Sequence, residues 1–466
     1  MKNGMRLIGI VMALVLLVGL FAGCTDTSGS GDNSGANSGN NDNAGSNAGS
    51  SNDNANGNAS SNNSGEKKTL KVWGGQLVSQ SVNDALEARI MAFEQAENCI
   101  VDFEWLEEVN YHIKLSAALE SGDLADVVYC AEQHAFKYYP DVPFMDLKEV
   151  KATIEAQIGR QYMPGMLREI EGQLYNLPFI GYGAGGFFRK SVWATIGIDE
   201  SNFPTTWDEV ADACLRLQAT NPPMYSCGIG CGSTDNDSEV NLREWMWTLG
   251  GGLFDANGDP DTVKAANIHV WTRYKELWDA GCVPPDSLSW SGVGNNNSYL
   301  TGECALMYNN VSFYGAVKGD EDLLADTGFV VHPEGYLYGS PGGYGIMKTT
   351  KEPELAAKLL AFLVDPDWYD DFMLDIVPLG APVFAEVIEN NPSVFTGVSA
   401  ACDFRGIDTV CWGFPANSTA KGLANGSVVF GAYAHNLNLQ RMLLDKIPVQ
   451  KALEDLQAEM EGLVRN

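Results

Sequence analysis

Thr69-Leu70-Lys71-Val72-Trp73-Gly74-Gly75 opens a run of alternating strand and helix patterns that extends to Cys130. It is a short β-type run closed by two glycines. A helical pattern follows, with Leu86, Ile90 and Phe93 on one stripe. Ile100 to Trp105 then alternates as a second strand, Tyr111 to Ser121 reads as a second helix, and Ala125 to Cys130 gives a third, buried strand. Strand, helix, strand, helix, strand is the order of a parallel α/β sheet, because parallel neighbours need a crossover between them. The expected fold class is therefore α/β.

Later segments extend the pattern. Thr206-Trp207-Asp208-Glu209 has the form of a capping box, Thr206 as N-cap and Glu209 at N3, opening a helix that carries Val210, Cys214 and Leu217 inward. Glu352 to Leu363 and Val449 to Leu463 are amphipathic helices, the latter with Val449, Leu453, Leu456, Met460 and Leu463 in one stripe. From Glu66 onward the chain holds roughly 400 residues, more than one core supports, so two lobes are expected. No internal repeat is visible.

The N-terminus reads differently. Lys2 and Arg6 precede an apolar run from Ile8 to Leu20. At about 13 residues it suits a signal peptide and falls short of the ~20 that a membrane-spanning helix requires. Leu20-Phe21-Ala22-Gly23-Cys24 follows directly and resembles the lipobox of bacterial lipoproteins, with Phe21 where those have Leu, Val or Ile. The resemblance implies removal of residues 1–23 and a diacylglycerol and palmitate anchor on Cys24. Residues 24–66 are almost wholly Asn, Gly, Ser, Asp and Ala. Such a composition buries too little surface to offset its ordering entropy, so a flexible tether with a reach of roughly 35 Å is expected.

The formal charge of −31 becomes two units more negative once Lys2 and Arg6 are removed. With no basic patch, nucleic acid and polyanionic ligands are disfavoured. Nine cysteines remain beside Cys24, in no regular spacing. Tyr225 to Gly230 reads as a strand, which would hold Cys227 and Cys231 about 13 Å apart, beyond disulfide reach. The five histidines show no zinc-site spacing with cysteine. Neither a metal nor a cofactor is expected.

Three motifs resemble sites without the right context. Gly181-Tyr182-Gly183-Ala184-Gly185-Gly186 satisfies G-x-G-x-x-G, but Phe187, Phe188 and Arg189 continue a strand where a phosphate-binding helix should start. Glycines at period two instead suit a close backbone approach or a crossing between lobes. Asp255-Ala256-Asn257-Gly258-Asp259-Pro260 mimics an EF-hand start, yet Pro260 replaces its glycine and Ala266 its terminal glutamate, so Asn257-Gly258 reads as a tight hairpin turn. Asp235-Asn236-Asp237-Ser238-Glu239 reads as a solvated loop, with a cation or ligand loop as the sharper alternative. No nucleophile elbow or H-E-x-x-H occurs, and a glycosidase carboxylate pair cannot be located among sixty acidic residues.

Five passages resemble the extracellular solute-binding proteins of ABC importers, the group that includes maltose-binding protein. They are Lys71-Val72-Trp73-Gly74-Gly75 with Ala92-Phe93-Glu94; Ser121-Gly122-Asp123-Leu124-Ala125-Asp126-Val127-Val128, where Ala125 replaces a usual proline; Gly172-Gln173-Leu174-Tyr175-Asn176-Leu177-Pro178 with Phe188-Arg189-Lys190; Thr301-Gly302-Glu303-Cys304-Ala305-Leu306-Met307; and Gly342-Gly343-Tyr344-Gly345-Ile346 leading to the helix that begins after Lys351-Glu352. The resemblance implies two lobes, 67–180 with 342–390 and 181–341 with 391–466, joined by crossing strands around an interlobe ligand cleft. It also implies a monomeric, non-catalytic carbohydrate binder serving an ABC permease at the outer face of the cytoplasmic membrane. A non-sugar solute, a sensor role and an enzyme acting on surface polysaccharide are the alternatives.

Trp and Tyr offer a flat apolar face and a polar edge, which suits sugar rings. Tyr182, Phe313, Tyr314, Tyr344, Trp412 and Phe414 lie at strand ends and loops, whereas Trp193, Trp207, Trp271 and Trp278 sit within helix patterns as packing residues. Trp245 or Trp247 is expected to line the cleft, from a segment that flanks it in the family. By local resemblance Gln76, Glu132, Gln133, Asn309 and Asn310 are added as polar contacts, since amides and carboxylates hydrogen-bond hydroxyls.

Overall fold

The computed structural model describes residues 67–77, 79–106, 108–130, 135–335, 341–406 and 418–464. The signal-peptide and tether readings, with Cys24, lie outside these residues, as do Glu132, Gln133, Trp412 and Phe414.

β1 (Thr69–Gly75) is flanked by β2 (Ile100–Leu106) and β3 (Val127–Cys130), both parallel to it, with Thr69 opposite Ile100 and Val72 opposite Val127. The crossovers are α1 (Gln80–Ala96) and α2 (Glu108–Ser121). Helix α1 starts where the Ser79 side chain accepts from the Val82 N–H at 3.4 Å, and it buries Val82, Leu86, Ile90 and Phe93. Each of these apolar side chains contributes roughly 1.5–3 kcal/mol through burial. β3 begins two residues later than the sequence suggests. Asp126 is held sideways instead, its carboxylate accepting from the Lys71 N–H at 2.9 Å and from the Thr350 hydroxyl at 2.6 Å.

The chain then leaves this sheet. From β4 (Leu177–Ile180) it passes through Gly181, Tyr182 and Gly183 into β5 (Ala184–Arg189), the centre of a second sheet. β6 (Leu306–Asn310) and β7 (Thr327–Val331) flank β5, both antiparallel. β8 (Gly342–Ile346) returns to the first sheet between β3 and β4, antiparallel to both, giving the order β2-β1-β3-β8-β4. The α/β class holds, but the parallel reading applies only to the first three strands. β8 arrives from the second sheet and so enters in the opposite direction.

Apolar clusters follow the sheets. Leu70, Val72 and Ile346 of the first sheet pack with α1, and α3 (Trp207–Gln218), α4 (Asn236–Thr248) and α5 (Ala265–Asp279) cover the second sheet around Phe188, Leu306 and Tyr308. On the first sheet α6 (Pro353–Leu363) and α7 (Pro366–Ile376) join α1, and Phe395, Ala401 and Phe404 belong to the same cluster. The opposite face of that sheet holds Trp73, Val128 and Cys130 with Ala420 and Leu423 of α8 (Ala420–Gly431). α9 (Ala434–Leu444) and α10 (Val449–Leu463) pack into the second cluster through Leu439, Met442, Leu453, Leu456 and Met460.

The Thr206 capping box forms as read: Glu209 N–H donates to Thr206 Oγ1 and Thr206 N–H to Glu209 Oε2, each at 3.2 Å. Val210, Cys214 and Leu217 are buried, as are Trp193, Trp207 and Trp271. The strand expected over Tyr225–Gly230 does not form. Tyr225 makes one isolated bridge to Cys304, and Gly228 lies so close that a Cβ there would come within 2.6 Å of Cys304 Sγ. The eight described cysteines are buried and none is in a disulfide. No helix among the described residues is long and apolar enough to cross a membrane.

Candidate functional site

Helix α4 organises the site. Its N-terminal turn is the acidic run read as a solvated loop, and here that reading is corrected. Asp235 is the N-cap, its carboxylate accepting from the Ser238 N–H at 3.1 Å, and both Asp235 and Glu239 are fully buried. Neither is exposed for a solvated loop because the turn is closed over by α9. Asn436 donates to the Gly232 and Asp235 carbonyls, each at 2.9 Å, and Glu239 pairs with buried Arg243. Burial pushes the Asp235 carboxyl up to about 6. Burial, reinforced by Arg243, drives the His435 imidazole down to about 3.

Two adjoining faces of α4 border two cavities. Residues at this spacing fall on adjacent faces of a helix. Asp237, Val240 and Asn241 line a small cavity of about 10 Å³ with Ala184, Tyr308, Asn309, Asn310 and His332. Arg243 and Trp247 line a larger one of about 470 Å³, whose remaining walls are Gly250 to Asp255, Lys264 and the start of α8 at Thr419 and Gly422. Half-buried Trp247 supplies its aromatic surface.

The lip of the larger cavity is the Asp255–Asp259 turn. Phe254 bridges Pro260, and Asp255 Oδ1 accepts from the Asn257 and Asp259 N–H groups at 2.8 and 2.9 Å, which holds its carboxyl below the usual range. This is the hairpin turn expected from Asn257-Gly258. Gly258 takes φ 83°, and Asn425 of α8 donates to its carbonyl at 2.8 Å, so the turn is fastened to the helix start.

The small cavity is amide-rich. Asn241 donates to the Tyr308 carbonyl at 3.2 Å, Asn309 donates to Asn295 at 3.5 Å and also to Asn296, and Asn310 caps the next turn by accepting from the Ser312 N–H at 2.8 Å. The paired carbonyl and N–H₂ of each amide can take hydroxyls as donors or acceptors.

A model of the bacterial extracellular solute-binding protein family matches residues 79–370, more than half the chain. The chain belongs to that family. No curated protein matches it significantly. Among solved structures, this solute-binding protein is similar to a sugar transporter protein from Arthrobacter chlorophenolicus with bound laminaribiose, at 18% identity and TM-score 0.70, covering 85% of this chain and 100% of that one. It is similar to a solute-binding protein from Thermotoga lettingae bound to α-D-tagatose, at 16% identity, TM-score 0.67 and 85% and 100% coverage. It is also similar to a maltose-bound protein of T. maritima, at 17% identity, TM-score 0.66 and 85% and 99% coverage. These likenesses establish the two-lobed binding-protein fold.

The sequence-predicted residues of this solute-binding protein are not all brought together. Asn309 and Asn310 share the small cavity. Tyr182 is half-buried in the crossing between the sheets. Gln76 is exposed just past β1, its N–H donating to the Leu106 carbonyl at 3.1 Å. Phe313 sits in a core cluster, edge-on to Phe187 at 5.2 Å, and Tyr344 is buried edge-on to Tyr129 at 5.4 Å. Trp245 is core, stacked on Trp207 at 6.2 Å, while Trp247, two residues on, reaches the larger cavity. Asp237 belongs to the acidic run that sequence reading offered as a ligand loop; Asn241, Arg243 and His332 were missed. A helical wheel through Trp247 would have pointed to Arg243, one turn away, but not to Asn241 on the adjoining face.

Proposed function

We propose that this solute-binding protein captures a sugar or oligosaccharide between its two lobes and delivers it to an ABC permease, without catalysis and without a metal or cofactor. The amide-lined cavity of Asn241, Asn309 and Asn310 beside α4 carries the reading, because it offers hydroxyl-bonding groups, and the separate Trp247 cavity on the same helix offers an aromatic surface. The saccharides bound by its structural neighbours support the same class. The proposed lobes are 67–180 with 342–390 and 181–341 with 391–466; the sheet memberships support the division, whereas Val311, Phe395 to Phe404 and Ala420 and Leu423 of α8 pack with the first sheet. The head acts as a monomer held outside the cytoplasmic membrane by lipid on Cys24, with no nucleic-acid partner.

A thermal-shift screen tests the ligand class. Saccharides should raise the Tm, and an increase only with amino acids, polyamines or metal complexes would exclude the sugar reading. For the anchor, Cys24→Ala should move the protein from the membrane fraction to the medium; continued membrane retention would exclude lipidation.

A further inference from the structure

We propose that His332, held by Glu244, is a specificity-determining residue of the binding site and takes one hydroxyl of the ligand. The inference rests on the carbohydrate reading above.

Glu244 on α4 and His332 just after β7 are 0% and 2% exposed, and Nδ1 lies 2.5 Å from Oε2. The contact is close but off-line, so neither atom makes a hydrogen bond of ordinary geometry. Edge-on aromatic contacts with Tyr308 at 5.2 Å and Trp207 at 5.7 Å fix the imidazole plane. A buried carboxylate is costly unless paired, and His332 is its ion-pair partner among the described residues. The pairing in turn commits Nδ1 to Glu244.

That leaves Nε2. It is buried and has no hydrogen-bond partner among the described residues, and the same is true of Tyr308 Oη. Both residues line the small cavity with Asp237, Asn241, Asn309 and Asn310. Buried polar atoms are nearly always satisfied, so an unpartnered imidazole nitrogen on a residue that lines the cavity points to a group that enters it. The volume of about 10 Å³ suits a single hydroxyl rather than a whole ring. A hydroxyl can donate to a neutral imidazole nitrogen or accept from a protonated one, so it satisfies Nε2 in either state. A ligand lacking that hydroxyl leaves the nitrogen unpaired and is rejected.

Titration calorimetry with laminaribiose, maltose and tagatose tests this on the full chain. H332L/E244L replaces both partners with apolar groups, which avoids stranding one buried charge. It should keep the wild-type circular dichroism and lose at least tenfold in affinity for whichever of the three sugars binds. E244Q, which keeps the imidazole, should lose less. If the double variant does not fold, the imidazole ¹⁵N signals of the wild type replace it, and the His332 Nε2 resonance should shift on saturation with that sugar. Wild type that binds none of the three overturns the carbohydrate reading and this inference with it. Wild-type binding with the double variant within twofold, or an unmoved Nε2 resonance, overturns the role of His332 alone.

Discussion

Gly183 lies directly beneath Ala401: a Cβ built on Gly183 would stand 1.9 Å from the Ala401 carbonyl oxygen. The crossing from β4 to β5 therefore runs against backbone, not against a side chain that could turn away. Gly185, two residues on, is equally confined by Phe329 and the Val330 carbonyl. The period-two glycines are a space requirement of the passage between sheets.

Gly183→Ala should accordingly destabilise the protein by about 3 kcal/mol, at the upper end of what overpacking costs. Gly462, exposed in α10 with open space around it, provides the contrast. Gly462→Ala should be neutral or stabilise by roughly 0.5–1 kcal/mol through helix propensity. Urea denaturation of the two variants checks both; equal effects would mean that the crossing is not sterically limited.

Trp245 and Trp247 should separate stability from binding. Trp245→Ala removes a fully buried ring stacked on Trp207 and should cost about 3–5 kcal/mol. Trp247→Ala should leave the Tm within a few degrees and weaken sugar binding about tenfold, as for the loss of an aromatic anchor. Calorimetric titration and thermal melts on both variants decide it. Unchanged affinity in Trp247→Ala would remove the larger cavity from the site.

The lip of that cavity gives a third test. Gly258 combines φ 83° with an approach so close that a Cβ would lie 2.4 Å from the Gly422 nitrogen. Gly258→Ala should push the turn away from α8, break the Asn425 contact and destabilise by roughly 1–3 kcal/mol. Hydrogen exchange should show the 255–259 turn and the first turn of α8 losing protection together; protection lost at one alone would separate them.

Periodicity made α1, α3 and α10 legible, because their buried stripes obey the helical repeat and Thr206 and Glu209 mark a start by local chemistry alone. The Gly342–Ile346 passage was legible only as a family-like motif, and the direction of β8 depends on the route through the second sheet. The site was harder. Trp245 and Trp247 have the same local signals, and only the packing of α4 against Trp207 assigns one to the core. The Asp235 turn looked exposed because acidic residues usually are. Its burial depends on Asn436, about 200 residues away in sequence, supplying donors that local reading cannot see.

That buried turn sets the last prediction. The folded-state pKa of Asp235 is raised from 3.8 to about 6, so the folded protein binds its proton more tightly and stability falls as pH rises from about 4 to 6, by about 3 kcal/mol in all. His435 acts oppositely. Its pKa is lowered from 6.5 to about 3, so the unfolded chain binds the extra proton and stability is lost as pH falls below 6.5, on the order of 5 kcal/mol by pH 3. Between pH 4 and 6 the two slopes offset each other. Asp235→Asn keeps an N-cap acceptor for the Ser238 N–H and removes only the ionisable group. The variant should therefore exceed wild type by up to about 3 kcal/mol at pH 7, with the difference vanishing near pH 4. Urea titrations of both proteins across that range measure the difference directly. Parallel stability profiles would show that Asp235 does not titrate in this window, and its burial would then have to be relieved by contacts other than Ser238 and Asn436.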